Sequence, residues 1–339
     1  MPTILDVAFR ANVSIATVSR VLNNKPHKVN KATREKVLTA ARELDYRPNA
    51  LAKSLLTKKT MTIGIIIPDI SNPYYAEIVR GIQDVADPAG YTVMLHNTDR
   101  KQERILRDIY LLREKAADGV IFSGGIIGGY ETLSALKELR DRVVVIGRHE
   151  VDFPAVLVDN ISGASQAVQH LVDLGHRRIG FIGGSDESTT GRDRLTGYLN
   201  ALAKNGITPD RRLVKNGDWG PRSGYLLARE LLKGREVPTA IVAANDQMAF
   251  GALSAVKEKG LAVPASMAVV GFDNIPLSSY FDPPLTTVRI PMYDLGAGAM
   301  RLLMDLISGK NASKFKHFKP KLLVRGSTVP KPEPGLRVY

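Results

Sequence analysis

Apolar and polar positions change rhythm once along this chain. Over residues 4–44 the apolar side chains recur at three- and four-residue intervals, the spacing of helices that each bury one face. Leu5, Ala8 and Phe9 mark a first helix over Ile4–Ala11, Val18, Val21 and Leu22 a second over 15–23, and Val37, Leu38, Ala41 and Leu44 a third over 31–44. Ser14 is suited to cap the second helix, because its hydroxyl can accept from an amide that has no intrahelical partner, and Asn30 is placed to cap the third. Two short helices joined by a three-residue turn and braced by a third make a helix-turn-helix headpiece over residues 1–48.

From residue 61 short apolar runs replace the helical spacing. The segments 61–68, 91–97, 118–124, 142–148 and 155–160 read as buried parallel strands, with helices around 75–87, 102–116 and 130–140. A second series follows at 178–184, 212–218, 239–245, 267–273 and 285–289. The doubling predicts an α/β core of two similar parallel-sheet subdomains facing each other across a cleft. Between headpiece and core, Pro48 fixes its own φ and turns Arg47 away from helix. Asn49 can cap the helix-favouring stretch that follows. That stretch is shorter than the ~12–15 residues at which isolated helices become even marginal, so residues 49–60 are expected to be a hinge that orders only against a partner.

Charge sharpens this division. Residues 1–60 hold twelve Lys and Arg against four Asp and Glu, a balance of +8, and residues 312–339 hold seven against one, +6. The 251 residues between them carry 28 basic and 29 acidic side chains, a balance of −1. A basic head on a neutral body is the footprint of a nucleic-acid binder. On the second helix Thr17, Ser19 and Asn23 suit phosphates, and Arg20 carries a fork suited to guanine. The chain has no cysteine, which removes disulfides and thiolate metal sites. Its six histidines lack metal-ligand spacing. Asp6 and Arg10 interrupt the only stretch that could serve as a secretory signal, and the longest apolar run is too short for a membrane span. A cytoplasmic protein without metal or cofactor is expected. The glycine-rich stretch 124–129 lacks both the phosphate-loop ending and the dinucleotide spacing, and there is no nucleophile elbow. An enzyme is therefore not expected.

Ligands of open α/β sheets sit beyond the carboxyl ends of the strands. Polar groups at those ends are Tyr74 after the first strand, Arg148 after the fourth, Asp159 at the end of the fifth, and Asn245 and Asp273 in the second series. Arg194 is read as beginning a helix there, and Trp219 closes a Gly-Asp-Trp turn. Carboxylate and amide groups can take hydroxyl pairs, a guanidinium can donate, and an indole can cover the apolar face of a pyranose, so this chemistry suits a sugar. Tyr74 and Tyr75 leave a purine open. Asp159 and Asp246 could equally cap helices, and Arg148 could pair with a surface carboxylate.

The runs ATVSRVLNN and RPNALAKSL resemble the lac repressor family of transcriptional regulators, and the resemblance extends over nearly the whole chain. It implies a periplasmic-binding-protein-like core over 61–328. An N-subdomain would span about 61–160 and 290–320, a C-subdomain about 161–289 and 321–328, and 329–339 would be a short tail. By position Ile15 and Ala16 match the family's specificity residues and can offer bases only apolar contacts, for example to a thymine methyl. Arg20 matches a third base-reading position. Thr3, Ser14 and Asn49 complete the expected DNA contacts of the headpiece and hinge entrance. Ala52 and Leu55 match the family's hinge, where a leucine from each subunit wedges into the minor groove. Arg194, Asn245, Asp273 and Trp219 match effector-binding positions. The resemblance thus implies a homodimeric repressor on a palindromic double-stranded operator, controlled by a small-molecule effector, expected to be a sugar. Three other readings remain: a purine-responsive regulator, a catabolite-control regulator answering to a phosphorylated carrier protein, and, against the charge pattern, a solute-binding protein.

Overall fold

The structure, a computed structural model, describes residues 2–22, 29–47, 54, 59–124, 130–139, 142–149, 152–234, 236–310 and 314–329. Asn23, Asn49, Ala52, Leu55, residues 125–129 and the tail from 330 lie outside the described residues. The chain divides into two compact units, residues 1–61 and 62–339.

In the first unit the described residues form the helices α1 (Ile4–Ala11), α2 (Ile15–Leu22) and α3 (Lys31–Glu43). Thr3 and Asp6 cap the start of α1 reciprocally: the Asp6 amide donates to the Thr3 hydroxyl at 3.4 Å, and the Thr3 amide donates to the Asp6 carboxylate at 2.7 Å. Asn12 takes a left-handed conformation (φ 51°) and closes α1 by donating to the carbonyls of Ala8 and Phe9. Ser14 accepts from the Thr17 amide at 3.2 Å, and Asn30 from the Thr33 amide at 2.8 Å, so both expected caps are made. The buried core is Val7, Ala8, Ala11, Val18, Val21, Val37, Ala40 and Ala41. One sequence expectation is corrected here. Leu5 and Phe9 do not join Ala8 in that core; they are 60% and 91% exposed. Helix α1 carries two apolar stripes, and the one made of Val7, Ala8 and Ala11 has the small side chains that let α2 and α3 approach closely.

The second unit contains two six-stranded sheets. The first joins β1 (Thr62–Ile67), β2 (Thr92–Asn97), β3 (Gly119–Ser123), β4 (Val143–Ile146), β5 (Ala155–Val158) and β11 (Phe315–Phe318) in the order β11-β5-β4-β3-β1-β2. The second joins β6 (Ile179–Gly183), β7 (Val214–Asn216), β8 (Ala240–Ala243), β9 (Ala268–Asp273), β10 (Thr286–Arg289) and β12 (Lys321–Leu323) in the order β12-β10-β9-β8-β6-β7. All pairings are parallel except that of β12 with β10. Ten strands coincide with the ten apolar runs. Strands β3, β4, β8 and β9 are buried along their whole length, which is why they read as continuous apolar runs rather than alternating ones.

The connecting helices are α4 (Pro73–Ala86), α5 (Gln102–Glu114), α6 (Tyr130–Lys137), α7 (Asn160–Asp173), α8 (Thr189–Lys204), α9 (Pro221–Leu231), α10 (Asp246–Glu258) and α11 (Met292–Ile307). The chain passes between sheets along α7, returns along α11 to β11, and crosses again at 319–320 to β12. In each sheet the winding reverses beside the first strand laid down, between β1 and β3 and between β6 and β8. The loops that diverge there open a crevice at the carboxyl ends of the strands, the usual ligand position of doubly wound sheets. Among the described residues no helix is long and apolar enough to cross a membrane.

Candidate functional site

The crevice is a cleft of about 860 Å³, its open mouth included. Its walls come from both sheets. The loop after β1 and the start of α4 supply Asn72, Tyr74 and Tyr75; the turn after β2 supplies Arg100; and α7 begins with Asn160. From the second sheet come Ser185, Ser188 and Thr190 around the start of α8, then Arg194, Trp219, Asn245 and Asp273.

At the floor, Arg194 is buried and held from three sides. Its Nε donates to Asn160 Oδ1 at 2.9 Å, and its Nη1 donates to the Ala244 carbonyl and, at 3.3 Å, to Asp273 Oδ1. The guanidinium carbon lies 3.6 Å from the Phe272 ring centroid, a cation–π contact strengthened by exclusion of water. Asn245 caps α10 by accepting from the Met248 amide at 2.9 Å, and its amide donates to the Trp219 carbonyl at 2.9 Å. One side chain thus starts a helix and tethers the aromatic wall. Trp219 has φ 74°, and its indole lies over Gly184, where a Cβ would come within 2.1 Å of the ring. Any larger residue at 184 would push the indole away.

Burial pushes the Asp273 carboxyl up to about 7, opposed by Arg194 and reinforced by the charge of Asp246. Asp246, likewise buried, rises to about 6. The Ser278 and Thr287 hydroxyls, at 2.6 and 2.5 Å, and the Ile275 amide at 2.9 Å donate to it and oppose the shift. Burial also raises the Tyr74 and Tyr75 hydroxyls well above the usual tyrosine range. All of these groups face low-dielectric surroundings, where a correctly placed hydroxyl partner counts for more than in water.

Of the seven effector positions expected from sequence, Tyr74, Arg194, Trp219, Asn245 and Asp273 line the cleft. Two expectations are corrected. Asp159 is exposed and caps α7 through the Ser162 amide at 2.9 Å; its neighbour Asn160 is the one that enters the cleft. Arg148 is paired with Asp193 of α8, Nε to Oδ2 at 3.0 Å, and does not line the cleft. Arg194 lies within α8, which starts at Thr189, rather than at its beginning. Arg100, Ser185, Ser188 and Thr190 were missed; Arg100 and Ser185 closely follow strand ends, where the rule that found Asp273 would have found them, whereas Ser188 and Thr190 sit at the start of α8.

On the headpiece, Ile15, Ala16 and Arg20 are exposed on α2, while Thr17 and Ser19 are half-buried. The Thr17 hydroxyl lies 2.9 Å from that of Ser14. Ile15, Ala16, Thr17, Ser19 and Arg20 therefore share one helix whose apolar positions, Val18 and Val21, are turned into the core.

Comparison with known proteins gives two family matches: residues 3–49 to bacterial regulatory proteins of the lacI family, and 168–328 to a periplasmic binding protein-like domain. The chain is 42% identical over 304 residues to catabolite control protein A of Priestia megaterium, covering 89% of this chain and 91% of that one. A solved lac repressor dimer, bound to operator and the anti-inducer ONPF, is 31% identical with a TM-score of 0.89, covering 97% of this chain and 99% of its own. The regulator CelR in complex with cellobiose is 32% identical with a TM-score of 0.73, covering 96% and 100%.

Proposed function

This chain belongs to the lacI family of bacterial regulatory proteins and is a DNA-binding transcriptional regulator; from that premise we propose that it is a cytoplasmic, non-enzymatic repressor that binds a palindromic operator as a homodimer and is released or retained by a sugar in its cleft. The observation that carries the reading is the floor of the cleft. Arg194, Asp273 and Asn160 form a buried polar cluster beside Trp219, at the winding reversal of both sheets. Hydroxyl groups would take the carboxylate and guanidinium, and the indole would cover an apolar sugar face. At the other end of the chain, Arg20 would read a guanine, Ile15 and Ala16 a thymine methyl, and Thr17 and Ser19 the phosphates. Thr3, Ser14, Asn23 and Asn49 would join the backbone contacts, and Ala52 and Leu55 would enter the minor groove.

Selection from a random duplex pool tests the DNA half. Inverted repeats bound by two chains are the expected yield; light scattering is expected to give a dimer. Enrichment of no sequence, or of single half-sites by a monomer, would overturn this reading. The 42% identity with catabolite control protein A favours a second reading, in which a phosphorylated carrier protein governs the core. Under that reading Arg194→Ala and Asp273→Ala would leave the regulatory response intact.

A further inference from the structure

Three guanidinium groups stand at or beside the cleft, and each already faces a carboxylate. Arg194 Nη1 lies 3.3 Å from Asp273 Oδ1, Arg100 Nη1 lies 3.7 Å from Asp69 Oδ2, and Arg148 Nη2 lies 2.5 Å from Asp193 Oδ1. Asp218, next to the lining residue Trp219, is close enough to Arg100 to interact with it electrostatically. The other polar lining is uncharged: Asn72, Asn160, Ser185, Ser188, Thr190 and the tyrosine hydroxyls. Among the described lining residues the cleft therefore offers hydrogen bonds in abundance, and both of its guanidinium groups, Arg100 and Arg194, already face a carboxylate.

We propose that the cleft takes an uncharged polyhydroxylated ligand, a sugar or a nucleoside, and rejects the phosphate ester of that same ligand. This rests on the effector reading above and narrows it. A phosphate ester brings a charge of about −1.5 to −2 at neutral pH. To reach the floor of the cleft it must shed water there, or take Arg194 from Asp273 and leave that carboxyl without its partner; both are costly because this pair is buried. A neutral polyol meets neither obstacle. Its hydroxyls exchange water for the Asp273 carboxylate and the lining hydroxyls and amides, and its C–H face lies against Trp219 and Tyr75.

The test uses the full-length chain, with Trp219 fluorescence, thermal melting and operator binding as readouts. Ribose, glucose, adenosine, cytidine and uridine are compared with ribose 5-phosphate, glucose 6-phosphate and the three nucleoside 5′-monophosphates at matched ionic strength. At least one neutral compound is expected to bind, and its phosphate ester to bind tenfold or more weakly. The sugar and nucleoside arms identify the source of the polyol. Asp69→Asn, which removes the nearer of the two carboxylates that Arg100 faces, is expected to narrow that ratio by improving the ester. An ester that binds as tightly as its parent overturns the proposal and leaves the effector reading standing. A free base that binds as well as its nucleoside also overturns it. An unchanged ratio in Asp69→Asn refutes charge pairing as the cause. If no compound of either series binds while operator binding persists, the effector reading itself falls.

Discussion

Asp273 ties the chemistry of the cleft to pH. Its carboxyl titrates near 7 rather than in the ordinary acidic range because burial disfavours the charge. The folded state therefore holds a proton that the unfolded chain gives up, so this group's contribution to stability is present at low pH and lost as pH rises through about 7. Ligand binding runs the other way. Hydroxyls that donate to Asp273 favour the ionised form, so effector affinity is expected to fall as pH drops from 8 to 5, with the midpoint near 7. A flat affinity profile over that range would remove Asp273 from the contact set. This behaviour could not be read from sequence. The position of Asp273 at a strand end was visible, but its burial beside Asp246 and its pairing with a residue 79 positions away were not. Arg148 illustrates the same limit. Its place after β4 suggested a ligand contact, and only the fold brings Asp193 to it.

Elements were far easier to read than contacts. The ten apolar runs became strands because burial of both faces leaves little room for polar residues. Strands β11 and β12 were not predicted; Phe315-Lys316-His317-Phe318 is a largely exposed edge strand with no apolar run to betray it. In the headpiece the helices were legible but the choice of buried face on α1 was not, since Leu5 and Phe9 repeat at the same spacing as Val7 and Ala11. Helix packing shows why. Helices α4 and α11 meet backbone to backbone at Gly296, where a Cβ would stand 2.0 Å from the Ile78 carbonyl oxygen. Gly296→Val is expected to lower stability by about 1–3 kcal/mol or more through overpacking, read as a reduced denaturation midpoint. A wild-type midpoint would show that the two helices separate without cost. The hinge makes a complementary prediction. Residues 49–55 are too few for a stable helix alone. Leu55→Ala is therefore expected to leave folding unchanged, to weaken operator binding and DNA bending, and to spare salt-dependent binding to random duplex. Unchanged operator affinity and bend angle would dismiss the wedge.

At the scale of the whole molecule, a basic module of residues 1–61 and an α/β unit of residues 62–339 divide the work of a regulator. The charge asymmetry makes this division visible in the sequence: residues 1–60 concentrate the cations that phosphates attract, and residues 61–311 are nearly neutral. The account requires the two to be coupled, with a ligand that favours one arrangement of the core shifting the affinity of the headpieces for DNA by its differential affinity for the two states. The most direct test is an operator-binding titration of wild type, Arg194→Ala and Asp273→Ala, each with and without a ligand established by the melting screen. Wild type is expected to change operator affinity on adding ligand. Both variants are expected to bind operator like ligand-free wild type and to ignore the ligand, because a buried charged hydrogen-bond partner worth about 1.5–3 kcal/mol has been removed from the cleft. A full ligand response in both variants would contradict the account.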